Sequence, residues 1–337
     1  MKILMIAIND PAGTAIAFTK AINRYTNHTC RLITREIRYN FMFEKDIHLP
    51  WLDRDGWEEV EWLLRESDLF HFHMTADEYI ELGPFRPVDY IKGKTLVHHH
   101  HGHPDFRGNP LKYREKYKRL KRENLLVSTP DLLKLLPDAK WQPNLVPIDD
   151  PLYRPLEKCP LEKSPLEKNP LENSPLEKSP VIICHSPTRR ELKNTDQFLQ
   201  AVDILRRKSK TAVELRLIDN TPHIECLRLK QESHILFDHM QGYYGVSSLE
   251  GLSQGLCVIA GLDEWNISHI KEFTGAETLP WLPATPQTLQ WVLEDIVEHK
   301  DRIPEYAAAS RSFMEGCWSE EKVLGRLLSI YGFQDDL

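Results

Sequence analysis

Residues 238–261, DHMQGYYGVSSLEGLSQGLCVIAG, decide how the rest of the chain is read. Two short apolar runs with β-branched members, 235–237 (ILF) and 257–260 (CVIA), flank a segment of helix length, 246–254, that stops at Gly255. The pattern predicts strand, loop, helix, strand. The loop 241–245 crowds backbone amides at the helix N-terminus, where free N–H groups and the macrodipole favour a phosphate or another polar ligand. Glu250 falls a turn inside that helix. An ordinary α/β unit carrying a helical glutamate fits the same letters.

Working outward, 337 residues are enough for about two domains, each able to bury its own core. The net charge of −7 argues against a general nucleic-acid binder, although 116–122 (KYKRLKR) is a local basic run. That run reads as a solvated helix face, with contact to an anionic membrane surface as the rival. No stretch approaches the length of a membrane span, and 1–8 opens a strand rather than a signal peptide. The expected location is therefore cytoplasmic, at most peripheral at the inner membrane face. Six scattered cysteines without a CxxC pair imply reduced thiols.

The first half alternates strands and helices. Residues 2–8 (KILMIAI) form a buried strand, 9–14 (NDPAGT) a turn, and a helix follows to about residue 25. Gly13 is a single glycine, not a GxGxxG set, so this is half a nucleotide fold without a dinucleotide fingerprint. Strands at 31–34, 69–73, 95–99 and 125–128, with a helix at 57–65, predict a doubly wound parallel sheet. Two strand ends carry His71 and His73, and His98, His99, His100, His101 and His103, where open α/β sheets place their ligand crevice. Imidazole is a common metal ligand, but neighbours on a strand face opposite ways, so only alternate histidines can share an ion. No HExxH is present and Asp105 is a lone carboxylate, so no metal cofactor is expected. A histidine-metal hydrolase stays as the third-ranked reading.

Residues 155–179 then repeat PLEKC PLEKS PLEKN PLENS PLEKS. A proline every fifth residue excludes a regular helix, and the expected state is an extended spacer. The second half opens with a strand at 181–185, the loop SPTRRELKNT (186–195) and a helix at 196–208. Two cations on such a loop can clamp a diphosphate, Arg189 or Arg190 by bidentate hydrogen bonds and Lys193 as a point charge. A basic surface loop ending in an Asn194 or Thr195 cap is the plainer alternative. A strand at 213–218 leads into a loop at 219–223 where a nucleobase has room. Helices are expected at 285–299, 304–317 and 320–331.

Several of these segments together resemble the retaining GT-B glycosyltransferases of the group 1, family 4-like class, which use nucleotide sugars. Their C-terminal signature is Glu, seven residues, Glu, small residues, Gly and an apolar strand; Glu250, Gly255 and 258–260 fall on it. The first acid is missing, and Gly242 stands in its place. The loop HGHPDFRG is similar to a family loop, with His101, Gly102, Asp105 and Arg107 matching, and 127–149 (VSTPDLLKLLPDAKWQPNLVPID) to the family's exit from its first domain. The loop 186–195 is similar to the donor-site pattern.

The resemblance implies an α/β GT-B fold of two Rossmann-like domains with parallel doubly wound sheets facing an interdomain cleft. It implies an acceptor domain at 1–150, the repeat linker at 151–180, a donor domain at 181–318 and a helix at 319–337 crossing back to the first domain. The implied activity is transfer of a sugar from a nucleoside diphosphate to a hydroxyl acceptor, such as a glycan, lipid-linked or polysaccharide precursor, with retention. His101, Arg190 and Lys193 are the implied catalytic residues. Gly13, Arg189, Arg190, Lys193, Gly242, Tyr243, Tyr244, Gly245 and Glu250 would bind the donor, with Glu250 on the ribose hydroxyls. Asp10, Thr14, Asp105 and Arg107 would face the acceptor or the cleft. The gap at Gly242 keeps a nucleotide-sugar epimerase, or an inactive sugar-binding relative, as the alternative.

Overall fold

The computed structural model describes residues 1–38, 44–156 and 180–333, so the repeats at 157–179 lie outside the described residues. The chain forms two compact units, Met1–Pro147 with Glu320–Leu337, and Ile148–Ser319. In chain order the elements of the first are β1 (Lys2–Ala7), α1 (Thr14–Tyr25), β2 (Thr29–Thr34), β3 (Ile47–His48), α2 (Arg54–Glu66), β4 (Leu69–His73), β5 (Thr95–His100), α3 (Pro104–Gly108), α4 (Pro110–Leu120), β6 (Asn124–Val127) and β7 (Lys140–Trp141). The second contributes β8 (Val181–His185), α5 (Thr195–Lys208), β9 (Val213–Leu217), α6 (His223–Gln231), β10 (Ile235–Phe237), α7 (Val246–Ser253), β11 (Cys257–Ala260), α8 (Glu264–Thr274), β12 (Leu282–Pro283), α9 (Leu289–Glu298) and α10 (Ile303–Cys317). The last helix, α11 (Glu320–Tyr331), belongs to the first unit.

The first unit holds a seven-stranded sheet in the order β3-β2-β1-β4-β5-β6-β7, every pairing parallel. Its central strands β1 and β4 are buried almost end to end because helices cover both faces. On one face Val60, Leu63 and Leu64 of α2 pack against Leu4, Ile6, Phe70 and Phe72. On the other, Phe18 of α1 lies against His99, and Tyr331 of α11 against His71.

The second unit holds a five-stranded sheet, order β12-β11-β10-β8-β9, again parallel. Its core is built from Ile183, Phe198, Val202, Phe237, Ile259, Leu293 and Ile296, among others. The strand order reverses between β8 and β10, which are neighbours. In open α/β sheets the loops leaving the carboxyl ends of two such strands form the ligand crevice. Among the described residues no helix is long and apolar enough to cross a membrane.

Candidate functional site

Loops 186–194 and 238–245 leave the carboxyl ends of β8 and β10, and Asp238 ties them together. This buried carboxylate accepts the Lys193 ammonium on Oδ1 at 2.9 Å, and the Gly245 amide and Ser248 hydroxyl on Oδ2 at 2.6 and 2.7 Å. Burial alone would raise its pKa, but His239, Lys193 and the Ser248 hydroxyl outweigh it and hold Asp238 well below the usual carboxylate range. The ammonium is thereby fixed over Gly245, where a Cβ would lie 2.9 Å from Nζ. Asn194, in the left-handed region at φ 53°, accepts the Met240 amide at 2.9 Å and the Gln241 side-chain amide at 3.2 Å. Asp238 went unassigned in the sequence because a single acid after a strand looks like any loop residue.

The two arginines part company. Arg190 donates through Nε and Nη2 to Asp219 at 3.1 and 2.8 Å, reaching the end of β9, whereas Arg189 pairs along its own turn with Glu191. Both pairs are exposed, so each arginine can exchange a carboxylate for a phosphate at little cost.

Glu250 is buried and doubly bonded. Lys230 Nζ meets Oε2 at 2.5 Å, and His223 Nε2 lies 2.8 Å from Oε1. Burial would raise Glu250, but Lys230 and His223 bring it down to about 2, so it stays an ionised acceptor. Lys230, itself fully buried, also donates to Ser247 at 2.8 Å, and Ser247 lies 3.0 Å from Ser186. A hydrogen-bonded file thus runs from the loop after β8 to Glu250. The loop at 219–223, expected to lie near a nucleobase, ends by starting α6, which carries both partners of Glu250.

The loop between these anchors departs from expectation at Tyr244. Its side chain is fully buried against Trp281 and Trp318, so it belongs to the core and is unavailable to a donor. Tyr243 instead stands edge-on to His239. Gly242 adopts φ 88°, a conformation that a side chain would strain, and its carbonyl accepts from Asp263 N and Asn266 Nδ2, both at 2.8 Å. Asp263 Oδ2 lies 3.5 Å from where a Gly242 Cβ would be, placing a carboxylate beside the position of the missing acid. Its other oxygen caps α8 at the Asn266 amide.

In the first unit, the expected cleft residues serve local structure. Asp10 accepts the Ile16 amide at 3.0 Å and ties down the start of α1, which Gly13 enters at φ 64°, and Thr14 is buried. Burial raises the Asp10 pKa against the pull of the Ile16, Ala15 and Thr14 amides. Asp105 is held by Tyr113, Lys112 and Asn109, and Arg107 by Asp131 at 2.7 Å. His71, His73, His98, His99 and His100 do not line a crevice: all are within strands and at most 1% exposed. His101, just past β5, is half-buried, with Nε2 3.0 Å from His73 Nδ1; burial lowers its pKa to about 3, so the ring is neutral. The basic run is partly consumed by internal pairs, Lys116 with Asp77 and Arg122 with the buried Glu78.

No protein-family model matches the sequence, and no curated protein is similar to it. Solved structures are similar over nearly the whole chain. The Anabaena protein HepE in complex with UDP superposes with a TM-score of 0.63 at 12% identity, covering 98% of this chain and 100% of that one. A glycosyltransferase from Rickettsia africae gives 0.59 at 13% identity, covering 98% and 97%. The UDP-GlcNAc 2-epimerase of Neisseria meningitidis, bound to UDP-GlcNAc, gives 0.53 at 10%, covering 98% and 99%. The chain accordingly has the GT-B fold, two Rossmann-like α/β units with parallel sheets, shared by glycosyltransferases and epimerases that act on nucleotide sugars.

Proposed function

We propose that the chain is a glycosyltransferase that moves a sugar from a nucleoside diphosphate to a hydroxyl acceptor, with retention, and that 181–318 binds the donor. The observation that carries the reading is the Lys193–Asp238–Gly245 constellation at the switch point of the second sheet. It presents an ammonium and the start of a helix to one spot, which suits a diphosphate. Arg190 exchanges Asp219 for a phosphate and, with Lys193, neutralises the leaving group, where charge develops in the transition state. Glu250, kept ionised by Lys230, accepts the ribose hydroxyls. Asp263 supplies the carboxylate that Gly242 lacks and contacts the donor sugar. Two cations at the diphosphate make a metal cofactor unnecessary for turnover, which should survive a brief exposure to EDTA.

A second reading, a nucleotide-sugar epimerase, is favoured by the similarity to epimerases and by Gly242 itself. Both readings use the same nucleotide site. Mass spectrometry and NMR of the products from a panel of nucleotide sugars, with and without acceptor alcohols, separate them. Transfer to an acceptor supports the first; an isomerised nucleotide sugar without acceptor replaces it with the second.

A further inference from the structure

The parallel register of β4 and β5 pairs His71 with Val97 and His73 with His99, so His71, His73 and His99 all point to one face. His98 and His100 point to the other, where they meet Phe72, Phe106 and Tyr117. On the first face the rings pack closely, with centroids 4.2 Å apart for His71 and His73, and 5.3 Å for His71 and His99. One nitrogen from each of the three lies within 4.8 Å of the others.

One nitrogen of His71 and one of His73 is engaged, and the rest of the cluster is not. His71 Nδ1 lies 2.5 Å from the Tyr331 hydroxyl, and His73 Nδ1 lies 3.0 Å from His101 Nε2. His71 Nε2, His73 Nε2 and both nitrogens of His99 are buried without a hydrogen-bond partner. A buried nitrogen left unpaired carries a desolvation penalty, and an ion is one of the partners that removes it. Metal-bound histidines typically fix their other ring nitrogen with an outer hydrogen bond, the part Tyr331 and His101 play here.

We propose that His71, His73 and His99 form a buried site for a transition-metal ion of the zinc class, stapling β4 to β5 beneath α1 and α11. Three neutral imidazoles suit zinc, cobalt or nickel and exclude calcium and magnesium, which take oxygen ligands. Zinc–nitrogen bonds of about 2.0–2.1 Å put tetrahedral ligands roughly 3.4 Å apart. Ring rotations of about 1 Å close the remaining gap, leaving the fourth position to water or hydroxide. The role is structural and separate from the donor site in the other unit, so it stands whether or not the proposed activity does. The ion enters as the chain folds, since the ligands come together only in the folded sheet.

The test uses full-length protein without an affinity tag, folded with zinc or cobalt supplied and then dialysed against chelator. The expected result is about one metal ion per chain by elemental mass spectrometry. His73→Phe/His99→Phe, which preserves ring volume, should lose the ion and melt lower, while His100→Phe on the opposite face retains it. Cobalt-loaded wild type should show the intense visible bands of a tetrahedral nitrogen site, a readout that survives if the double variant does not fold. Metal-free wild type, undiminished metal in a folded double variant, or only weak octahedral cobalt bands would overturn the proposal.

Discussion

Lys230 Nζ and Glu250 Oε2 form a fully buried ion pair between α6 and α7, completed on its second oxygen by His223. Removing one partner of such a pair costs about 3–5 kcal/mol, because the other is left charged in a dry interior. Replacing both by neutral groups of similar shape is far milder. Glu250 has its folded pKa at about 2 against 4.5 when unfolded, so its contribution is present above pH 4.5 and disappears as the pH falls towards 2. Denaturant melts between these pH values should show a stability slope that flattens in Lys230→Met/Glu250→Gln. An unchanged slope would mean that the pair does not govern the acid limb.

Lys193 and Glu250 should weaken nucleotide binding in different ways. Glu250→Gln is expected to lower affinity for a nucleoside monophosphate and diphosphate alike, since its assigned contact is the ribose. Lys193→Ala should cost about tenfold or more for the diphosphate, roughly 1.4 kcal/mol, and little for the monophosphate. Calorimetric titration of both ligands decides. Equal losses for Lys193→Ala would remove it from the second phosphate.

Gly245 tests the same corner by shape. An alanine methyl would lie 2.9 Å from Lys193 Nζ and 3.0 Å from both Asp238 oxygens. With φ at −97° the backbone itself tolerates a side chain, so Gly245→Ala should fold and push the ammonium off its carboxylate. Diphosphate affinity should fall as in Lys193→Ala, with near-native circular dichroism. Native affinity would place the diphosphate elsewhere.

The strands were legible because parallel sheets bury both faces: KILMIA, LFHFH and CVIA cannot easily be anything else. Glu250 was singled out through the resemblance to the glycosyltransferase signature, and its burial inside α7 is what the structure adds. Its partners were not legible, since α6 has a weak apolar stripe and a buried lysine reads as a surface one until its carboxylate is located. Asp263 gave no sign beyond that of an ordinary helix cap, because its closeness to Gly242 is set by the fold. The histidines showed their alternation but not which of them were unpaired, a property set by register and by Tyr331, more than two hundred residues away in sequence. Tyr244 was misplaced because a loop tyrosine gives no sign in sequence of the tryptophans it packs on.

His101 remains the candidate at the reacting centre from the first unit. Its neutral ring is half-buried, with Nε2 against His73 Nδ1, so a bond to a sugar hydroxyl requires that contact to be exchanged. His101→Ala should lower kcat by about 10² with nucleotide affinity unchanged, if the nucleotide binds in the other unit as proposed. Full kcat would leave it only as the outer partner of His73.

Asp263 carries the sharpest test of the donor site. One oxygen caps α8 at the Asn266 amide, 2.8 Å away, while the other lies 3.5 Å from where a Gly242 Cβ would stand. Asparagine caps helices as well as aspartate does, so Asp263→Asn should preserve α8 and remove only the charge. If the carboxylate contacts the donor sugar in the transition state, kcat should fall by roughly 10² or more while affinity for the free nucleotide holds. Grafting the acid back at Gly242 should not rescue the variant, because φ 88° strains any side chain there. Stopped-time product assays, with melting curves to confirm the fold, give the answer. An Asp263→Asn enzyme with wild-type kcat would assign Asp263 to capping alone.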